Sequence, residues 1–177
     1  RWNAERTQIR RADLRKWVNA FKEGAGCQNC GIDDPACLDI HHTDEAEKEL
    51  AVGKMITAGF GKDALQREID KCEVLCANCH KLHHWTGPPT VSEGSVGETR
   101  QEVRQWIHQY KLESGGCSRC SERRPACLEF HHVSDNKLAT IAELVSNRRP
   151  LPVVRAEVGK CVVICANCHR KVHFVNP

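Results

Sequence analysis

The 177-residue sequence predicts an α+β protein built from one small unit written twice. Three observations predict this. First, CQNCGIDDPACLDIHH (27–42) matches CSRCSERRPACLEFHH (117–132) at eight of sixteen positions, and KCEVLCANCHKLHH (71–84) matches KCVVICANCHRKVH (160–173) at nine of fourteen. Second, apolar residues ahead of each copy recur at three and four, at Leu14, Trp17, Val18 and Phe21 and again at Val103, Trp106, Ile107 and Tyr110, which marks one face of a helix. Third, each copy holds two short apolar stretches of strand character, ACLDIHH or ACLEFHH and then CEVLC or CVVIC. A repeat of this kind decides the architecture before composition does.

The elements follow in the same order in both copies. An amphipathic helix comes first, then a tight Cys-x-x-Cys turn. A strand follows in which Leu38 and Ile40 alternate with smaller or polar neighbours. The variable middle reads as short helices, and KDALQREID is one of them, with Leu65 and Ile69 four apart. A second strand enters a second Cys-x-x-Cys, and a final helix is expected to start near His80 or His169. Two strands feeding a helix make a ββα unit. TGPPTVSEGSVGE (86–98) is rich in Pro, Gly and Ser and reads as a linker, so the copies divide as 1–88 and 89–177.

Composition narrows the class. Aromatic residues are only 5% of the chain, so each half has a thin core and needs a staple. No apolar run approaches the roughly 18 residues of a membrane span. The basic N-terminus, RWNAERTQIRRADLRKW, has no apolar segment of secretory type. An intracellular setting, cytoplasm or nucleoid, is therefore the expectation. The net charge of +3 is a weak signal, but Arg6, Arg10 and Arg11, then Arg119, Arg123 and Arg124, form clusters. Such clusters are either a footprint for phosphates or ordinary solvated surface.

All twelve cysteines fall in the two copies, six in each. Cys27, Cys30, Cys76 and Cys79, and again Cys117, Cys120, Cys165 and Cys168, form CxxC…CxxC. Four thiolates suit tetrahedral zinc, and a two-residue gap lets both sulfurs of one turn reach one ion. One structural Zn2+ per copy is expected, with an iron–sulfur or redox role as the alternative. Cys37, Cys72, Cys127 and Cys161 are surplus to that set and read as small buried apolar residues, with further ligation or a disulfide left open.

Four histidines recur outside the thiolate set: His41, His42, His80 and His84, then His131, His132, His169 and His173. His80 and His84 share a helix face at a spacing of four. His41 and His42 are adjacent at a strand end and point to opposite sides. One can then face an ion and the other a substrate, a division suited to metal-assisted hydrolysis with imidazole as base. His83 has no counterpart, since Val172 takes its place, and reads as surface.

With CxxC, LDIHH or LEFHH, and KCxxxCANCHxxxH in place, residues 27–84 and 117–173 each resemble the HNH nucleases, also called ββα-metal or His-Me finger nucleases. The resemblance implies roles by position. His41 and His131, with His80 and His169, correspond to ligands of a catalytic divalent cation, Mg2+ or Mn2+, one per copy. His42 and His132 correspond to the general base. His84 and His173 correspond to the last histidine of the motif, a third ligand or a contact to the scissile phosphate. The Asn that orients the base in the family has no clear counterpart. Lys71 and Lys160 stand near its place and are candidate phosphate contacts, while Asn78 and Asn167 lie inside the knuckle.

One such site cuts one strand, and family restriction enzymes pair two sites by dimerising. The chain resembles such a dimer fused into a monomer with pseudo-twofold symmetry. Double-stranded DNA is the expected partner, held by the arginine clusters, Lys71 and Lys160. A nickase with one active copy and a non-enzymatic tandem zinc module that binds nucleic acid are the rival expectations.

Overall fold

A computed structural model describes residues 2–90 and 100–174. Residues 91–98, most of the expected linker, lie outside the described residues.

The chain is mixed α+β. Its first repeat runs α1 (Trp2–Ala25), β1 (Leu38–His42), α2 (Val52–Ala58), α3 (Lys62–Ile69), β2 (Cys72–Cys76) and α4 (Ala77–His83). The second runs α5 (Arg100–Glu113), β3 (Leu128–His132), α6 (Ile141–Ser146), α7 (Leu151–Val158), β4 (Cys161–Cys165) and α8 (Ala166–His173). The predicted ββα order is therefore present in both.

The strands pair as antiparallel two-stranded ribbons. Leu38 lies opposite Cys76 and His42 opposite Cys72, and Leu128 lies opposite Cys165 and His132 opposite Cys161. A two-stranded ribbon is marginal without something packed on it. In the first repeat the support comes from two apolar clusters. Leu14 and Val18 of α1 pack with Val52, Met55 and Ile56 of α2 and Leu65 and Ile69 of α3. Leu38, Val74 and Leu75 of the ribbon pack with Cys27, Cys37, Cys76 and Cys79. The second repeat places Val103 against Ile141, Leu144, Val145, Val154 and Val158 in the same manner. The predicted helix faces are the ones buried.

The final helices start earlier than expected, at Ala77 and Ala166, directly after the strand. The reason is local. Cys76 Sγ accepts the Cys79 backbone N–H at 3.4 Å and Cys165 Sγ accepts that of Cys168 at 3.4 Å. Each thiol acts as an N-cap, so the Cys-x-x-Cys turn is already the first turn of the helix.

By packing, the described residues form two compact units. One comprises those up to His80 together with those from Arg170 onward; the other is Lys81–His169. The repeat boundary at 88/89 divides the sequence, whereas these units divide the packing, inside α4 and α8.

Candidate metal centres

The strand–helix junctions gather the cysteines. The sulfurs of Cys27, Cys30, Cys76 and Cys79 lie within 4.8 Å of one another, and so do those of Cys117, Cys120, Cys165 and Cys168. Cys30 Sγ and Cys76 Sγ are 3.7 Å apart, and Cys120 Sγ and Cys165 Sγ 3.6 Å. A disulfide needs about 2 Å. Sulfurs placed about 2.3 Å from a tetrahedral ion stand about 3.8 Å apart. All twelve cysteines are free thiols, so both clusters fit zinc and neither fits a disulfide.

Their electrostatics agree. Burial pushes the Cys27 thiol up, but hydrogen bonds from backbone around the knuckle outweigh it and bring the group to about 7. Cys117 also comes to about 7, with the Cys165 N–H donating to its sulfur at 3.1 Å. Burial, reinforced by the neighbouring thiols, pushes Cys79 and Cys168 upward. Ionising four such thiols together requires a cation among them.

Of the surplus cysteines, Cys37 and Cys127 are fully buried. Cys72 Sγ donates to the Glu68 carbonyl at 3.1 Å and Cys161 Sγ to the Glu157 carbonyl at 3.4 Å. They close the ends of α3 and α7.

The histidines separate by strand side, as their adjacency predicts. His41 turns to the final helix, where ring nitrogens of His41, His80 and His84 lie within 4.8 Å of one another. His131, His169 and His173 form the equivalent trio. His41 Nδ1 and His80 Nε2 are 3.1 Å apart. Ligands about 2.0–2.1 Å from a tetrahedral ion stand about 3.3 Å apart, so this spacing also suits one ion. His80 Nδ1 is 3.0 Å from Asp39 Oδ2, and His169 Nδ1 is 2.7 Å from Glu129 Oε2. Burial raises both carboxyls, but their cationic and imidazole partners prevail and hold them below the usual range. An ionised carboxylate at Nδ1 requires the proton there, which leaves Nε2 as the lone pair for a metal.

His42 turns the opposite way. Its Nε2 is 2.7 Å from Glu68 Oε1, a carboxylate only 1% exposed. Lys71 Nζ donates to Glu68 Oε2 at 2.9 Å, and the Glu49 and Leu50 backbone N–H groups donate to Oε1 at 2.9 and 3.4 Å. Burial pushes Glu68 up, but those donors and His42 outweigh it and hold it at about 2. The second repeat matches: His132 Nε2 is 2.8 Å from Glu157 Oε1, and Lys160 Nζ donates to Oε2 at 2.7 Å. The Lys160 hydrogen bond and the Leu138 N–H hold Glu157 at about 2 against its burial.

Neither Glu68 nor Glu157, nor Asp39 nor Glu129, was singled out from the sequence. The signal was present in the repeat. Glu-Ile-Asp-Lys-Cys (68–72) aligns with Glu-Val-Gly-Lys-Cys (157–161), and an acid stands two residues before the first histidine in both LDIHH and LEFHH.

The expected phosphate contacts fare unevenly. Lys71 and Lys160 face the buried glutamates, and Lys71 also reaches the Glu47 carbonyl at 3.1 Å and Glu49 Oε1 at 3.2 Å. Arg10, which is exposed, and Arg11, which is half-buried, donate to the Phe60 and Thr57 carbonyls after and within α2. Arg124 is held by Glu122. Arg6, Arg119 and Arg123 are exposed. Asn78 and Asn167 are buried at the start of the final helices.

No helix among the described residues is long and apolar enough to cross a membrane. Compared with family models, curated proteins and solved structures, the chain matches none.

Proposed function

We propose that this chain is a metal-dependent DNA endonuclease of the HNH type, with one phosphodiester-hydrolysing site in each repeat and the two sites acting on opposite strands. The observation that carries the reading is the same in both repeats. A trio of imidazoles fit for one cation stands on one side of the strand end, and on the other a histidine is bound to a buried, ionised glutamate.

In this reading Glu68 fixes the proton of His42 on Nε2, which leaves Nδ1 as the base that takes a proton from water. The buried carboxylate then stabilises the imidazolium that forms, as an acid behind a catalytic histidine does elsewhere. The Lys–Glu–His chain takes the place of the orienting Asn of the family pattern. Glu157 serves His132 in the same way. A cation held by His41, His80 and His84 would stabilise charge on the scissile phosphate and its leaving oxygen.

Three imidazoles suit borderline metals better than Mg2+, which prefers oxygen. Activation is therefore expected to be stronger with Co2+ or Ni2+ than with Mg2+, with Mn2+ between, reading initial rates at equal free metal. Arg6, Arg119 and Arg123 are the phosphate contacts of this reading, and affinity for double-stranded DNA should fall steeply with salt.

The test is cleavage of supercoiled plasmid by wild type, His42→Ala, His132→Ala and the double variant. Linear product from wild type, nicked circles from each single variant and nothing from the double variant support one site per strand. A single variant that still linearises would make its repeat structural. Binding without cleavage under every metal would leave a tandem zinc module that only binds nucleic acid.

A further inference from the structure

Asp39 and Glu129 each have two oxygens, and both divide them alike. In the first unit Asp39 Oδ2 meets His80 Nδ1 while Oδ1 accepts from Arg170 Nη1 at 2.5 Å. In the second, Glu129 Oε2 meets His169 Nδ1 while Oε1 accepts from Lys81 Nζ at 2.7 Å. Along the sequence these cations are exchanged. Arg170 directly follows His169, and Lys81 directly follows His80.

The exchange extends past the ends of the two helices. Phe174 lines the cleft of the first unit with Arg15, Lys22 and Asp39. Trp85 lines that of the second with Arg104, Ile107 and Lys111. In each case the aromatic four residues beyond the cation, just past the end of the helix, lies in the same unit as the cation. The device is therefore built twice from different residue types, Arg with Phe and Lys with Trp.

We propose that Arg170 and Lys81 are positioning residues for the imidazole trio of the repeat to which they do not belong in sequence. Arg170 fixes the Asp39 carboxylate that orients His80, and Lys81 fixes the Glu129 carboxylate that orients His169. A carboxylate behind a metal-binding histidine sets both its tautomer and its ring direction. A carboxylate with its second oxygen unheld is free to rotate away from the ring or to turn to solvent. The pairs are partly exposed, with Arg170 and Lys81 side chains 41% and 40% accessible, and such pairs contribute little to folding. Their effect is on the trio rather than on stability. Each site is thus completed by the other repeat, which makes the two copies mutually dependent.

The cleavage arm of the test rests on the nuclease reading; the metal arm does not. Co2+ is titrated into zinc-loaded full-length chain carrying His131→Ala, so that the first trio is the intact one. Arg170→Gln in that background should weaken Co2+ binding about tenfold, and more than Lys81→Gln does. Arg170→Lys, the residue type of the other copy, should recover most of the loss. With His41→Ala as the background the order should reverse, Lys81→Gln exceeding Arg170→Gln and Lys81→Arg restoring. In plasmid assays the same variants should slow the single strand cut by the corresponding site. If Arg170→Gln weakens the second trio more than the first, or both equally, or if Lys at 170 fails to restore, the proposal is overturned. If the affinities split as stated but no variant cuts DNA, the proposal stands and the nuclease reading falls.

Discussion

Glu68 is the residue on which the first site turns. A charge that is 1% exposed survives because Lys71, His42 and two backbone N–H groups meet its oxygens. Removing one partner of a buried pair leaves the rest uncompensated, so Glu68→Ala should cost roughly 3 kcal/mol in denaturant unfolding. Glu68→Gln keeps the shape but not the charge. It should cut first-site nicking, measured with His132→Ala as background, by at least tenfold while the zinc content stays unchanged. The acid dependence follows from the depressed value. Glu68 sits at about 2 folded against about 4.3 in an unfolded chain, so the folded state binds fewer protons between these values. Its stabilisation is full above about pH 5 and disappears as pH falls toward 2. The stability gap between wild type and Glu68→Gln should therefore shrink over that window, measured by denaturant unfolding at successive pH values.

Among elements, the turn before each first cysteine is the most constrained. Gly26 and Gly116 both adopt positive φ, at 63° and 108°. A side chain at Gly26 meets nothing closer than 3.7 Å, whereas one at Gly116 would stand 2.7 Å from the Glu122 carbonyl oxygen. Gly26→Ala should cost about 1 kcal/mol from the left-handed backbone alone. Gly116→Ala should cost distinctly more and loosen zinc at the second knuckle, seen as faster transfer of one metal equivalent to a chromogenic chelator. The strand–helix junction carries a second constraint, since Cys76 and Cys165 are at once strand ends, caps and members of the four-sulfur clusters.

At the scale of the whole molecule, the described residues form no single large core. Its apolar clusters are separate and small, and four of the seven buried residues in the ribbon cluster of the first repeat are cysteines. With so little apolar mass, metal at the knuckles is the expected source of stability. Two zinc equivalents per chain should be found by elemental analysis, and Cys76→Ser should retain one. Chelation at neutral pH should abolish the cooperative thermal transition. A chain that keeps that transition after losing both equivalents would exclude a structural role for the clusters.

The sequence by itself determined the repeat, the helix faces, the two ribbons and the grouping of cysteines and histidines, because each is written in spacing. Spacing of three and four selects a helix face, alternation selects a strand face, and Cys-x-x-Cys closes one turn. The placement of His41 and His42 on opposite sides followed from the same rule. Only the tertiary structure decided what stands behind each histidine. Glu68 and Glu157 lie on helices whose exposed and buried faces both accept an acid, and each carboxylate enters the core only where the lysine three residues on and a histidine distant in sequence meet it. The same reason gave Lys71, Lys160, Arg10 and Arg11 partners within the protein that their sequence does not name. A positive charge in a sequence has no direction, and packing turned these four toward the acids and backbone carbonyls of the protein itself.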